Sequence, residues 1–133
     1  KLLYVGLVTR NQLGVYRYDE NGRLTFVNAV ANSGQDICWL KTNKTGTRLY
    51  AVNNLPRAEQ GDKASSVTVF DIFGVNAEKP VEIGRVELPV MPGTFVNNRN
   101  SSQPDSTAFQ FDIDDNEQYL YVINQRINQT SSN

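Results

Sequence analysis

The chain has 133 residues, 39% of them apolar and 20% charged, with thirteen cations against fourteen anions. A net charge of −1 argues against nucleic acid as the main partner, because phosphate neutralisation needs a clustered basic surplus, and no apolar run reaches the ~18 residues of a membrane helix. With no histidine and the single cysteine Cys38, this stretch holds no Ser-His-Asp triad, no His-ligated or Cys-based metal site and no internal disulfide, and no cofactor is expected.

No window carries the sustained apolar spacing of an amphipathic helix. Short runs rich in Val, Tyr, Phe, Ile and Thr predict strands at residues 2–7, 14–19, 24–30, 37–42, 49–53, 67–72, 82–88, 108–113 and 119–124. Nine short strands with no helices between them predict antiparallel all-β structure. The connections carry turn chemistry. Asp19-Glu20-Asn21-Gly22 and Asn43-Lys44-Thr45-Gly46 place residues that tolerate positive φ where a hairpin must reverse. Asp114-Asp115-Asn116-Glu117 does the same without the glycine. The longer stretch Asp112-Ile113-Asp114-Asp115-Asn116-Glu117 faintly resembles a calcium loop, but its sixth place is Glu117 where an EF-hand needs glycine, and its twelfth is Ile123 where it needs glutamate. It reads as a hairpin turn.

The chain repeats itself. Residues 37–54 align without a gap on 108–125, so that Leu49-Tyr50-Ala51-Val52-Asn53 falls on Leu120-Tyr121-Val122-Ile123-Asn124. Leu3-Tyr4-Val5 begins a third copy. Insertions at 54–66 and 89–107 account for the unequal spacing. A period of about 40–50 residues holding four strands is that of a β-propeller blade.

The unit Ile-Cys-Trp-Leu-Lys-Thr-Asn-Lys-Thr-Gly-Thr-Arg-Leu-Tyr-Ala-Val-Asn-Asn, followed by Ser-Val-Thr-Val-Phe-Asp-Ile, resembles the blade of lactonase-type propellers, the 6-phosphogluconolactonase and carboxy-muconate cyclase kind. Gly14 to Val27 is similar to that blade's third and fourth strands. The resemblance implies a seven-bladed ring. With strands lettered a to d from the channel outwards, residues 1–31 supply b-c-d, 32–90 supply a-b-c-d and 107–133 supply a-b. The chain is therefore expected to be two to three blades of a longer protein, its partners being the remaining blades of the same chain or of other copies, because stacked repeats need neighbours.

This order puts the a-to-b and c-to-d turns on one face and both long insertions on the other. Function is usually carried on loops held by a rigid scaffold. Four of the eight arginines, Arg10, Arg57, Arg99 and Arg126, fall in loops of that second face. Their planar forks suit a carboxylate or phosphate, and the resemblance implies an anionic lactone. The plainer reading is four solvated surface residues. Asp36, next to the channel, is the candidate catalytic base, or else a side chain capping its own turn. Asn53 and Asn124 recur at one blade position, which favours a structural role. Cys38 and Trp39 read as core. The catalytic histidine of some related cyclases has no counterpart here. The triplets at Asn43, Asn100 and Asn128 are candidate glycan acceptors. They point to a secreted or periplasmic protein, with a cytoplasmic one as the alternative.

Two functions follow. One is lactone hydrolysis or cyclisation of a small anionic sugar or muconate-type substrate. The other is a non-catalytic secreted propeller whose long loops hold a protein or glycan partner.

Overall fold

A computed structural model describes residues 1–89 and 107–125. It has nine strands and three short 3-10 turns. The strands are β1 (Leu2–Leu7), β2 (Gln12–Tyr18), β3 (Leu24–Ala31), β4 (Gln35–Thr42), β5 (Arg48–Leu55), β6 (Ser66–Asp71), β7 (Val81–Glu87), β8 (Thr107–Ile113) and β9 (Leu120–Gln125). They form three antiparallel sheets in sequence order, β1-β2-β3, β4-β5-β6-β7 and β8-β9. Every predicted strand is present. β2 and β4 each begin two residues earlier than expected, because Gln12 pairs with both Leu7 and Ala31 and Gln35 pairs with Leu55.

The repeat extends to the irregularities. β4 breaks register against β5 between Ile37 and Trp39, and β8 breaks register against β9 between Ala108 and Phe111. Those breaks occupy one position of the repeat. The β2–β3 and β6–β7 pairs also share a break, at Val15/Tyr16 and Val69/Phe70. Bulges sharpen the local twist and re-aim side chains, so recurrent bulges give recurrent curvature.

The hairpin turns repeat as well. Asn43 Oδ1 accepts the N–H groups of Thr47 and Arg48. Asp114 Oδ1 accepts those of Gln118 and Tyr119. The fourth residue of each turn lies at positive φ, Gly46 at 65° and Glu117 at 58°. Glu117 tolerates a position that favours glycine, and its carboxylate reaches back to the Lys44 N–H. One turn is thereby tied to the next.

Two cores separate the three sheets. Leu13, Ile37, Leu49, Ala51, Phe70 and Ile72 pack between the first and second. Val52, Val67 and Ala108 pack between the second and third, flanked by Tyr50, Phe111, Leu120 and Val122. A fully buried side chain of the size of Phe70 contributes about 1.5–3 kcal/mol. Shape differs between the two seams. A Cβ on Gly6 would meet the Ile37 carbonyl oxygen at 2.6 Å. At the matching place of the second seam Val52 packs with Ala108. Because the clash at Gly6 is with backbone, Gly6→Ala is expected to cost about 1–3 kcal/mol in chemical denaturation, and Ile37→Ala in the same chain should not rescue it. Wild-type stability of Gly6→Ala would contradict this close approach.

The outer faces of the first and third sheets remain apolar. Leu24 and Phe26 are 53% and 57% exposed on the first, and Tyr121 and Ile123 are 60% and 58% exposed on the third. Among the described residues no helix is long and apolar enough to cross a membrane.

Candidate functional site

The expected loop face is organised around the seam between the first two sheets. After β1 the chain makes a 3-10 turn, Val8–Arg10, and leaves it through Asn11 at φ 49°. Asp36, early in β4, is also left-handed, at φ 65°. Left-handed backbone is uncommon outside glycine, and Asn and Asp adopt it most readily. The two residues meet: Asn11 Oδ1 accepts the Asp36 N–H at 2.7 Å.

The Asp36 carboxyl is half-buried, and among the described residues it accepts no hydrogen bond. The cap read as its alternative role is absent there. Burial pushes its pKa up from the usual carboxylate range. A carboxylate made more basic without a fixed partner suits proton abstraction. Cys38, two residues on, lies at the bulge. Its thiol is pushed up by burial first and then by the Asp36 charge, and a hydrogen bond with Asn54 only partly offsets this. Such a thiol stays protonated at neutral pH and is a poor nucleophile.

The candidate arginines differ in their engagements. Arg57 Nη1 donates to the Ser33 carbonyl at 3.1 Å and Nε donates to Glu59 at 2.8 Å. It braces one loop against another three residues from Asp36. Arg10 is exposed and lines a cleft with Leu7, Tyr16 and Phe26 on the outer side of the first sheet. Arg99 and Arg126 lie outside the described residues, as do Asn100 and Asn128. At Asn43 the side-chain amide donates to the Thr45 and Thr47 hydroxyls, so this acceptor nitrogen serves the turn in the folded chain. Among the described residues no three His, Cys, Asp or Glu side chains converge as metal ligands.

The insertion after β5 is fastened to the sheet. Asp62, 8% exposed, takes a forked ion pair from Arg85, 20% exposed, with Nη2 3.1 Å from Oδ1. It also accepts the Arg57 backbone N–H at 3.2 Å. Glu87 accepts the Lys63 and Ala64 N–H groups at 2.6 and 2.8 Å. The Arg85 hydrogen bonds hold the Asp62 carboxyl below its usual range. A lowered folded-state pKa gives stability above the unfolded value of about 3.9, lost as pH falls through the folded value. Asp62→Asn should cost about 1.5–3 kcal/mol at neutral pH, and the gap from wild type should narrow as the pH falls below about 4. Denaturant melts at both ends of that range check this; a gap of unchanged size at acid pH would refute it.

Beneath the face lies a buried polar knot that sequence reading assigned only as structural. Asn53 is fully buried. Its Oδ1 accepts from Asn32 Nδ2 at 2.7 Å, and its Nδ2 donates to Ser66 Oγ at 3.0 Å and Thr68 Oγ1 at 2.7 Å. A Cβ on Gly34 would overlap the Asn53 side chain, so the loop passes close over it. Asn11 escaped notice in the sequence. Its only local signal is an Asn closing the short loop Thr9-Arg10-Asn11.

Two crystal structures share this fold. One, described as a putative 6-phosphogluconolactonase from Bacteroides uniformis ATCC 8492, superposes with a TM-score of 0.60 at 18% identity, covering 92% of this chain and 29% of its own. Another, described as a putative 6-phosphogluconolactonase from Bacteroides fragilis NCTC 9343, gives 0.55 at 19% identity, covering 96% and 36%. The chain thus spans about a third of the length of each. No family model matches the chain, and no curated protein matches it in sequence. The likeness shows the fold: an all-β, propeller-like arrangement of antiparallel sheets such as those two structures have.

Proposed function

We propose that this chain is the Asp36-bearing arc of a lactonase-like β-propeller that opens, or in reverse closes, the ring ester of a small anionic sugar or muconate-type lactone. The observation that carries the reading is Asp36, a half-buried carboxylate whose basicity burial raises and which holds no hydrogen bond among the described residues. In the hydrolytic direction Asp36 takes a proton from water as the water oxygen bonds to the lactone carbonyl carbon. The ring C–O bond then breaks and its oxygen is protonated, leaving a hydroxy acid. The fold shared with two structures described as putative 6-phosphogluconolactonases supports the same class. Arg10, with Arg99 and Arg126, would supply the anion contacts, while Arg57 acts as a loop brace. Further blades of the same protein would cover the apolar face around Tyr121 and the part of the first sheet's outer face away from Arg10.

The test is lactone consumption by the full-length protein, comparing a phosphorylated sugar lactone with its uncharged counterpart. Turnover above the buffer rate with preference for the anionic substrate supports the reading, and turnover at the buffer rate for both defeats it. The engagement of Arg57 by Glu59 and Ser33 favours a second reading, a non-catalytic binding propeller. Saturable binding of a protein or glycan without turnover would select it.

A further inference from the structure

We infer that Asn11 is the positioning residue for Asp36, reaching across a sheet seam to fix where its carboxylate stands. The inference rests on the reading of Asp36 as the proton-abstracting group. Asn11 belongs to the loop between β1 and β2, and Asp36 to the start of β4 in the next sheet. Each hydrogen-bonding group of Asn11 is used. Its N–H donates to the Val8 carbonyl at 3.2 Å, and its own carbonyl accepts the Asn32 N–H at 2.9 Å. Its Nδ2 donates to Gln35 Oε1 at 2.8 Å, and its Oδ1 accepts the Asp36 N–H at 2.7 Å.

This pattern admits one orientation of the amide. Turned over, Nδ2 would face the Asp36 N–H, donor against donor. The side chain thus grips two consecutive residues of β4, and the second is Asp36 at φ 65°. A non-glycine residue holds that conformation only where its surroundings over-determine it. Asn11 supplies the hydrogen bond made by the Asp36 backbone N–H. The Asp36 carboxyl has no comparable anchor among the described residues, so the backbone that Asn11 holds decides where its Cβ stands and which region the carboxyl can reach. A displacement of about 1 Å at a reacting group can cost about a hundredfold in rate. Removal of this hold should therefore appear in kcat rather than in substrate affinity.

The informative variant is Asn11→Gly. Glycine adopts φ 49° without strain, so the turn survives while the amide is lost. Asn11→Asp keeps an oxygen facing the Asp36 N–H and serves as the rescue. Two readouts are taken on the full-length protein. The first is amide hydrogen exchange at Asp36, which needs no substrate. Protection should be present in wild type and Asn11→Asp and lost in Asn11→Gly. The second is steady-state lactone turnover. Asn11→Gly should lower kcat about tenfold or more with KM within about twofold, and Asn11→Asp should recover most of it. An unprotected Asp36 amide in wild type, or wild-type kcat in Asn11→Gly, overturns the positioning role. Those results leave Asp36 itself standing, because its part is decided separately by Asp36→Asn.

Discussion

Asp36→Asn is expected to lower lactone kcat/KM about 10²–10³-fold, a loss of roughly 3–4 kcal/mol of transition-state stabilisation. Asparagine keeps the shape and tolerates the left-handed backbone at φ 65°, so the change removes basicity with little else. The pH profile gives an independent check. A general base works deprotonated, so activity rises with pH through its pKa, and burial places that limb above the ordinary carboxylate range. The limb should vanish in the variant.

Stability should move the other way. A carboxyl whose pKa is raised on folding binds more protons in the native than in the unfolded chain, so native stability falls as pH rises through the interval between the two values. Asp36→Asn removes that liability and should melt higher than wild type at neutral pH. Lower activity with equal or greater stability is the signature of a functional group held against its own preference. An active variant, or one that loses activity only because it unfolds, would remove Asp36 from the mechanism.

Asn53→Ala is the second large effect, and it falls on folding. Asn53 serves three partners, Asn32, Ser66 and Thr68, in a site with no access to water. Truncation leaves buried donors and acceptors unpaired at about 1–3 kcal/mol each, with partial re-pairing of the two hydroxyls. A total of about 3–5 kcal/mol follows, or roughly 10 °C or more in Tm for a chain of this size. The proper control is Asn124→Ala. Asn124 occupies the same repeat position in β9 but is only half-buried, and its loss should cost under about 1 kcal/mol. Equal effects at the two sites would mean that the buried knot contributes nothing of its own.

The strands were legible because each is a local pattern. Alternating β-branched and aromatic residues, closed by Asn-Gly or Asp-Asn turns, state where a strand begins and ends without reference to the rest of the chain. The gapless match of residues 37–54 with 108–125 pointed to a repeated unit, and the structure adds that the β4 and β8 bulges share one place in it. The site was legible only in part. Asp36 could be singled out as a candidate by its place at the start of a predicted strand. Its holder could not, because Asn11 lies 25 residues away and meets it only when two sheets dock. Arg57 shows the same limit from the other side. Loop position and charge suggest an anion contact, whereas the Ser33 carbonyl that accepts from its Nη1 comes close only through the tertiary fold. Side-chain type is written locally, but engagement is decided between elements.

The unlike seams have a bearing on how such similar sheets are set side by side. Gly6 lies under the Ile37 carbonyl, whereas Val52 packs with Ala108 at the corresponding height. Turns, bulges and register are common property of the blades and would let any of them sit beside any other. The steric pairing is private to each junction, and a blade bearing valine in place of Gly6 would collide with backbone. At these two seams, volume at one position thus distinguishes one neighbour from the other, which disfavours exchange between look-alike sheets.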